Sequence, residues 1–152
     1  MKLLYTFLLL VPLSLFAESY WQQHVHYTIN AKLDANEHKI LGKETLVYTN
    51  NSPDALSFVI FRLYWNLFTE GSRGDELNQR YKYYWHDKSG GVTINKFSIV
   101  TGSEEKQLSY SLDNTLMTIQ LPQPLLPGES ITFSCDWVGK IPEGGERTSH
   151  AG

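Results

Sequence analysis

The sequence contains a single cysteine, Cys135, among its 152 residues. One cysteine cannot form an internal disulfide, so the fold must be held together by its own hydrophobic core. Cys135 alternates in phase with the apolar residues of the segment ITFSCDW, and we expect it to be a small buried apolar side chain. Nothing near it in the sequence supplies the paired base that a catalytic thiol requires.

Excess positive charge and the common catalytic motifs are also absent. The formal net charge is -3, which argues against nucleic-acid binding. None of the five histidines is followed by glutamate, so the H-E-x-x-H helix of zinc peptidases is missing. There is no G-x-S-x-G elbow and no phosphate-binding glycine loop. The residues alone therefore predict no catalytic group and no cofactor bound by this chain.

The longest apolar stretch lies at the start of the chain. Lys2 supplies a positive charge, Leu3 to Phe16 is almost entirely apolar, and Ala17 is a small residue suited to precede a cleavage site. We interpret residues 1–17 as a secretory signal, which predicts a secreted or periplasmic protein without a membrane span after its removal. The alternative is a retained N-terminal anchor, although a bilayer span needs about 20 apolar residues.

Alternation of apolar and polar residues marks the strands. From Val25 to Leu33 the odd positions are apolar or aromatic and the even positions are polar. This pattern predicts a half-buried strand over residues 20–33, whose apolar face the later strands must cover or extend. Asp113-Asn114 predicts the turn of a hairpin. Further strands are predicted over residues 40–50, 92–100, 108–112, 115–121 and 130–138.

Two internal segments need separate interpretation. Residues 55–67 (ALSFVIFRLYWNL) are apolar on both faces, which predicts a strand covered on both sides, with a buried helix as the alternative. Residues 69–79 (TEGSRGDELNQ) are polar, and we expect a long surface loop. With about seven or more strands and no convincing amphipathic helix, residues 18–152 are predicted to be an all-β domain, either a β-sandwich or a saddle-like twisted sheet.

The order of four segments carries a family resemblance. An opening strand, YWQQHVHYTINAKLD, is followed by a G-x-E strand, LGKETLVYTNNSPD, then the apolar run FVIFRLYWNLF and a Leu-Pro-Gly-Glu entry to a last strand, LLPGESITFSCDW. Over residues 20–138 this order resembles the N-terminal β-domain of the aminopeptidase N family of zinc metallopeptidases, the gluzincins, and especially their exported bacterial members.

The resemblance implies a division of labour between domains. Residues 18–152 would be a non-catalytic N-terminal domain, incomplete at its C-terminal end, and the catalytic domain of the same polypeptide would be its partner. Zinc, its ligands and the general base belong to that catalytic domain, so this chain is expected to be inactive alone. Peptides would be the substrates of the whole enzyme. The inter-domain face is expected around five aromatic residues: Tyr64, Trp65, Phe68, Tyr83 and Trp85.

Two alternatives remain open. The chain could be a stand-alone carbohydrate- or protein-binding β-sandwich, with a platform for sugar rings formed by Tyr81, Tyr83, Tyr84 and Trp85. It could also hold a metal on His24 and His26, which share one face of the first strand. A third ligand would then have to come from His38, His86, His150 or a carboxylate.

Overall fold

Eight strands in two antiparallel sheets form the computed structural model, which describes residues 20–81 and 88–143. The predicted signal at residues 1–17 lies outside the described residues. The all-β prediction is confirmed. The strands are β1 (His24–Asp34), β2 (Lys39–Thr49), β3 (Leu56–Arg62), β4 (Gly91–Thr101), β5 (Glu104–Gln107), β6 (Ser111–Asp113), β7 (Leu116–Leu125) and β8 (Ser130–Lys140).

The larger sheet has the strand order β1-β2-β8-β4-β5, and the smaller sheet has the order β3-β7-β6. The last strand therefore lies at the centre of the larger sheet, between β2 and β4. Its Phe133 is opposite Leu46 on one side and Ile99 on the other. Because β8 pairs along both edges, its alternate side chains form the middle of the face that meets the smaller sheet.

The core lies between the two sheets. From the larger sheet it contains Leu46, Phe97, Phe133 and Cys135, and from the smaller sheet Val59, Met117 and Ile119. Cys135 is free and buried, as predicted. Burial of each large apolar side chain contributes roughly 1.5–3 kcal/mol, so these few residues are the main source of stability in a chain without disulfides.

The environment of β3 differs from the prediction. Val59 is 4% exposed, whereas Phe58 is 46% and Ile60 is 50% exposed. The expectation of a strand covered on both faces is therefore wrong, because the smaller sheet is the outer layer and only one of its faces meets the larger sheet. The apolar run ends in a 3₁₀ helix, Tyr64–Phe68, so the alternative of a buried helix over the whole run is also wrong.

The segment predicted as a polar loop contains a helix, α1 (Arg73–Tyr81). Ser72 precedes it, and the Ser72 hydroxyl accepts a hydrogen bond from the backbone N–H of Asp75 at 3.1 Å. The Asp75 carboxylate accepts one from the N–H of Gly71 and pairs with Lys88 at 3.0 Å. Polar capping stabilises this helix, and its sequence has no apolar stripe from which a helix could be predicted. Neither helix in the described ranges is long and apolar enough to cross a membrane.

The strand boundaries elsewhere follow the predictions closely. The hairpin between β6 and β7 is confirmed, with Asn114 at a φ of 53° in its turn. Strand β7 continues to Leu125, beyond the predicted end at residue 121, and a register shift lies opposite it between Leu56 and Phe58. The short strand β5 lies between the predicted strands over residues 92–100 and 108–112 and pairs with the end of β4.

Candidate functional site

The apolar face of β1 is largely exposed. Tyr27, Ile29 and Leu33 are 50%, 53% and 61% exposed, and Val25 alone among the apolar positions of this strand packs against the core. The later strands β2, β8 and β4 extend this face, as predicted, but they do not cover it. β1 is the end strand of the larger sheet, and the smaller sheet leaves most of its apolar face open beyond Val25.

A groove of about 400 Å³ opens where the two sheets diverge. Its floor is the inner face of β1, β2, β8 and β4, and its wall is β3 with the start of the 3₁₀ helix. A volume of this size lies within the usual range of binding pockets, about 300–1,000 Å³. Aromatic side chains dominate the lining, and those that matter below are Tyr27, Tyr48, Phe61, Trp65 and Trp137.

Two glycines allow aromatic rings to lie against the sheet. The ring of Trp137 covers Gly42 of β2, and a Cβ atom at position 42 would overlap it. The ring of Trp65 lies over Gly139 of β8, where a Cβ atom would approach it to 2.7 Å. The two indole rings therefore occupy space that side chains would fill, and they give the groove a flat aromatic surface.

Glu44 is the acidic residue of the groove lining. In the register of the sheet it lies between Ile29 of β1 and Cys135 of β8. Partial burial raises the pKa of its carboxyl group, and a hydrogen bond from the side chain of Trp137 opposes that rise. Among the described residues no lysine, arginine or histidine forms a salt bridge with Glu44. The groove thus contains a carboxylate without a cationic partner.

The neighbouring titratable groups are held in their neutral forms. Burial, and then the charges of Glu44 and Asp136, raise the pKa of the Cys135 thiol to about 12. Burial and then the charge of Glu44 raise the pKa of Tyr27. A thiol that stays protonated is a poor nucleophile. The arrangement is therefore suited to binding an occupant, and these side chains provide no activated nucleophile.

The five aromatic residues predicted at an inter-domain face have different positions. Tyr64 is 66% exposed and, with the half-buried Trp65, lines the groove. Phe68 is half-buried, and its Cβ atom would lie 2.8 Å from a Cβ atom added at Gly90. Tyr83 and Trp85 lie outside the described residues, as does Tyr84 of the predicted sugar platform.

The groove contains residues that the sequence did not single out, chiefly Tyr27, Glu44 and Trp137. In the sequence, Tyr27 is one apolar position of a predicted strand, and Glu44 is the glutamate of the G-x-E segment. A signal was present, since Gly42 interrupts a strand and such a glycine often marks close approach by another group. The approaching group is Trp137, which follows almost a hundred positions later in the sequence.

The described histidines do not form a metal site. His24 and His26 are exposed on the outer face of β1, opposite Thr49 and Val47. His38 lies in the turn after β1, roughly 26 Å of strand length or more from His26 at about 3.3 Å per residue. Over residues 20–81 and 88–143 no three His, Cys, Asp or Glu side chains converge on a metal position. These residues therefore do not fit zinc; His86 and His150 lie outside the described ranges.

Several solved structures share the fold. An M1 zinc metallopeptidase from Deinococcus radiodurans bound to the substrate Tyr-Ser-Ala matches 78% of this chain at 15% identity and a TM-score of 0.51. A two-domain M1 zinc metallopeptidase bound to L-arginine matches 82% at 17% identity, with the same TM-score. This chain spans about a fifth of the length of either protein (21% and 22%).

These similarities define the class of fold, a β-domain of the kind found within M1 zinc metallopeptidases, and at this identity they establish the fold alone. No protein-family model and no curated protein matches the chain.

Proposed function

We propose that this chain is the non-catalytic N-terminal β-domain of an exported, zinc-dependent, aminopeptidase-like metallopeptidase. In this proposal it packs on a catalytic domain of the same polypeptide and helps to shape the substrate cleft. The observation that carries the proposal is the uncovered apolar face of a fold that M1 metallopeptidases contain over about a fifth of their length.

Five of the exposed apolar residues lie in the groove or on the strand beside it. Tyr27, Ile29 and Leu33 extend along β1, and Ile60 and Tyr64 lie on the opposite wall or rim. Each square ångström of such surface that a partner removes from water contributes roughly 25 cal/mol. Large exposed apolar patches on soluble domains generally mark interaction sites. The second domain would therefore cover both β1 and the 3₁₀ helix, including Trp65, while the predicted signal at residues 1–17 accounts for export.

The chemistry of peptide hydrolysis is assigned to the partner domain. A metal-activated water is the usual nucleophile in such enzymes, and it requires a ligand set that the described residues do not supply. The role of this chain would be positional, with peptide substrates bound by the assembled enzyme. Removing the apolar contacts of β1 would then weaken activity by loosening the cleft.

The first test is the coding sequence that follows Gly152. We expect an H-E-x-x-H motif with a downstream glutamate within the next few hundred codons. An unrelated downstream domain would overturn the proposal. Where the motif is found, Ile29→Asp in the whole enzyme should lower aminopeptidase activity and thermal stability, since it charges the proposed inter-domain face. Thr28→Asp, on the outer face of the same strand, is the matched control and should leave activity unchanged.

The aromatic lining of the groove favours one alternative, a stand-alone carbohydrate-binding module. Tyr48 and Trp137 offer flat faces of the kind on which sugar rings stack. Calorimetric titration of the chain with soluble glycans tests this function, with Trp137→Ala as the comparison. Saturable binding that the substitution abolishes would favour the alternative, and its absence would favour the inter-domain proposal.

A further inference from the structure

We propose that the groove binds a polypeptide segment that inserts one lysine or arginine side chain against Glu44, with large apolar side chains on either side. The inference deepens the proposed function by naming the central contact of the interface. It rests on the proposed function for its occupant, a segment of the second domain, while the groove itself supplies the physical basis.

An occupant that covers Glu44 must compensate its carboxylate for lost hydration. Water still reaches this half-buried carboxylate, whose one side-chain hydrogen bond comes from Trp137. An occupant of the groove would displace that water. Loss of the remaining hydration of an unpaired carboxylate costs several kcal/mol. A wholly apolar occupant is therefore disfavoured at this point of the groove, although it suits the rest of the lining.

A cation on the occupant removes this penalty. Lysine and arginine carry apolar stems that pack along hydrophobic walls, and their charged ends can reach a recessed carboxylate. The rings of Tyr27, Tyr48 and Trp137 line the same space, and aromatic faces attract cations. The described residues do not supply this cation, since Arg62, the basic residue of the lining, forms no salt bridge with Glu44.

The shape of the surroundings favours a polypeptide over a small cation. β1 and β3 are the end strands of their sheets, and both border the groove. End strands present unpaired backbone N–H and C=O groups, to which an extended or turning segment can form hydrogen bonds. Ile29 and Leu33 continue the apolar surface along β1 beyond the groove lining. Several successive side chains of one segment can contact this surface at once.

The experiment uses two immobilised peptide libraries that differ in one atom group. Both have random large apolar residues at the flanking positions; the central residue is arginine in one and citrulline, its neutral isostere, in the other. The purified 152-residue chain is passed over each library. We expect about tenfold greater retention on the arginine library, as is usual for a desolvated charge pair. In Glu44→Gln this preference should disappear, and in Glu44→Lys a library with central glutamate should become the preferred one.

Glu104→Gln is the matched control, since it makes the same chemical change on β5, at the opposite edge of the sheet, and should keep the preference for arginine. Near-ultraviolet circular dichroism establishes that each variant is folded. Equal retention on the two libraries would overturn the inference, as would a preference that survives Glu44→Gln. The coding sequence beyond Gly152 tests the proposed function separately, so the two proposals can fail independently.

Discussion

The half of the larger sheet formed by β8, β4 and the end of β2 with Leu46 is covered by the smaller sheet, whereas the half formed by β1 and the start of β2 is mostly open. Phe133 and Phe97, in the covered half, are 1% and 2% exposed, and Tyr27 and Leu33, in the open half, are 50% and 61% exposed. Glu44 lies between the halves, next to Cys135. The difference indicates that the covered half stabilises the fold and the open half is available for a partner.

Matched truncations in the two halves should give the largest contrast. Phe133→Ala removes a ring from the core and should lower the free energy of unfolding by about 3–5 kcal/mol. Ile29→Ala, at a position 53% exposed, should lower it by less than about 1 kcal/mol. Urea denaturation measures both. If Phe133→Ala yields no folded protein, Phe133→Leu should still cost about 1 kcal/mol. Equal losses at the two positions would refute the assignment of the halves.

Asn50 fixes the smaller sheet over the covered half. It is fully buried at the end of β2, and its amide donates hydrogen bonds to the carbonyls of Asp54 and of Leu125, which belongs to β7, at 2.8 and 2.9 Å. Asn50→Ala removes both of these hydrogen bonds from a buried position and should cost about 2–3 kcal/mol in urea denaturation. Asn51→Ala, which is exposed, is the control and should cost less than about 1 kcal/mol. A similar loss in both would show that Asn50 does not join the sheets.

Gly42 tests the floor of the open half. A Cβ atom at this position would overlap the ring of Trp137, so Gly42→Ala must displace the indole. We expect a loss of about 1–3 kcal/mol in the free energy of unfolding, as for other overpacked sites. Thr45→Ala, on an exposed position of the same strand, should change it by less than about 0.5 kcal/mol. An unchanged stability of Gly42→Ala would show that the indole ring is free to move.

Replacement of Glu44 should have the smallest effect on the free energy of unfolding, and this effect should depend on pH. Burial raises the pKa of this carboxyl group in the folded chain, so the folded state binds its proton more tightly than the unfolded state does. Ionisation of the Glu44 carboxyl group therefore destabilises the folded state. Relative to the native chain, Glu44→Gln should gain stability as the pH rises from below the ordinary glutamate value of about 4.3 to neutral.

The measurement for Glu44 is urea denaturation of both chains at pH values from 3.5 to 7, chosen to bracket that ordinary value of about 4.3. Glu104→Gln, at an exposed position of β5, should show a smaller dependence. A relative gain for Glu44→Gln that shrinks with rising pH would mean that the ionised carboxylate stabilises the fold. In that case the groove would already compensate the negative charge of Glu44, a role that we assign to a cation on the partner.

Prediction from the sequence succeeded where the determinants are local. Alternation in β1, β2 and β8 predicted strands, and Asp113-Asn114 predicted the turn of the β6–β7 hairpin, because side-chain direction and turn conformation depend on a few adjacent residues. The helix α1 was missed although Ser72 and Asp75 have capping-box spacing, since its apolar pattern is weak. Tyr64 and Trp65 line the groove, whereas their place at an inter-domain face stays a prediction.

Composition and alternation specify a β-protein without an internal disulfide, most of its strands and the residues that share a face of each strand. Only the tertiary structure decided that β8 lies between β2 and β4, that β1 is an end strand and that its apolar face is open. The physical reason is that alternation specifies two faces of a strand but not what covers them. Coverage depends on pairings between distant segments, such as Gly42 with Trp137, and these pairings place Glu44 in a groove.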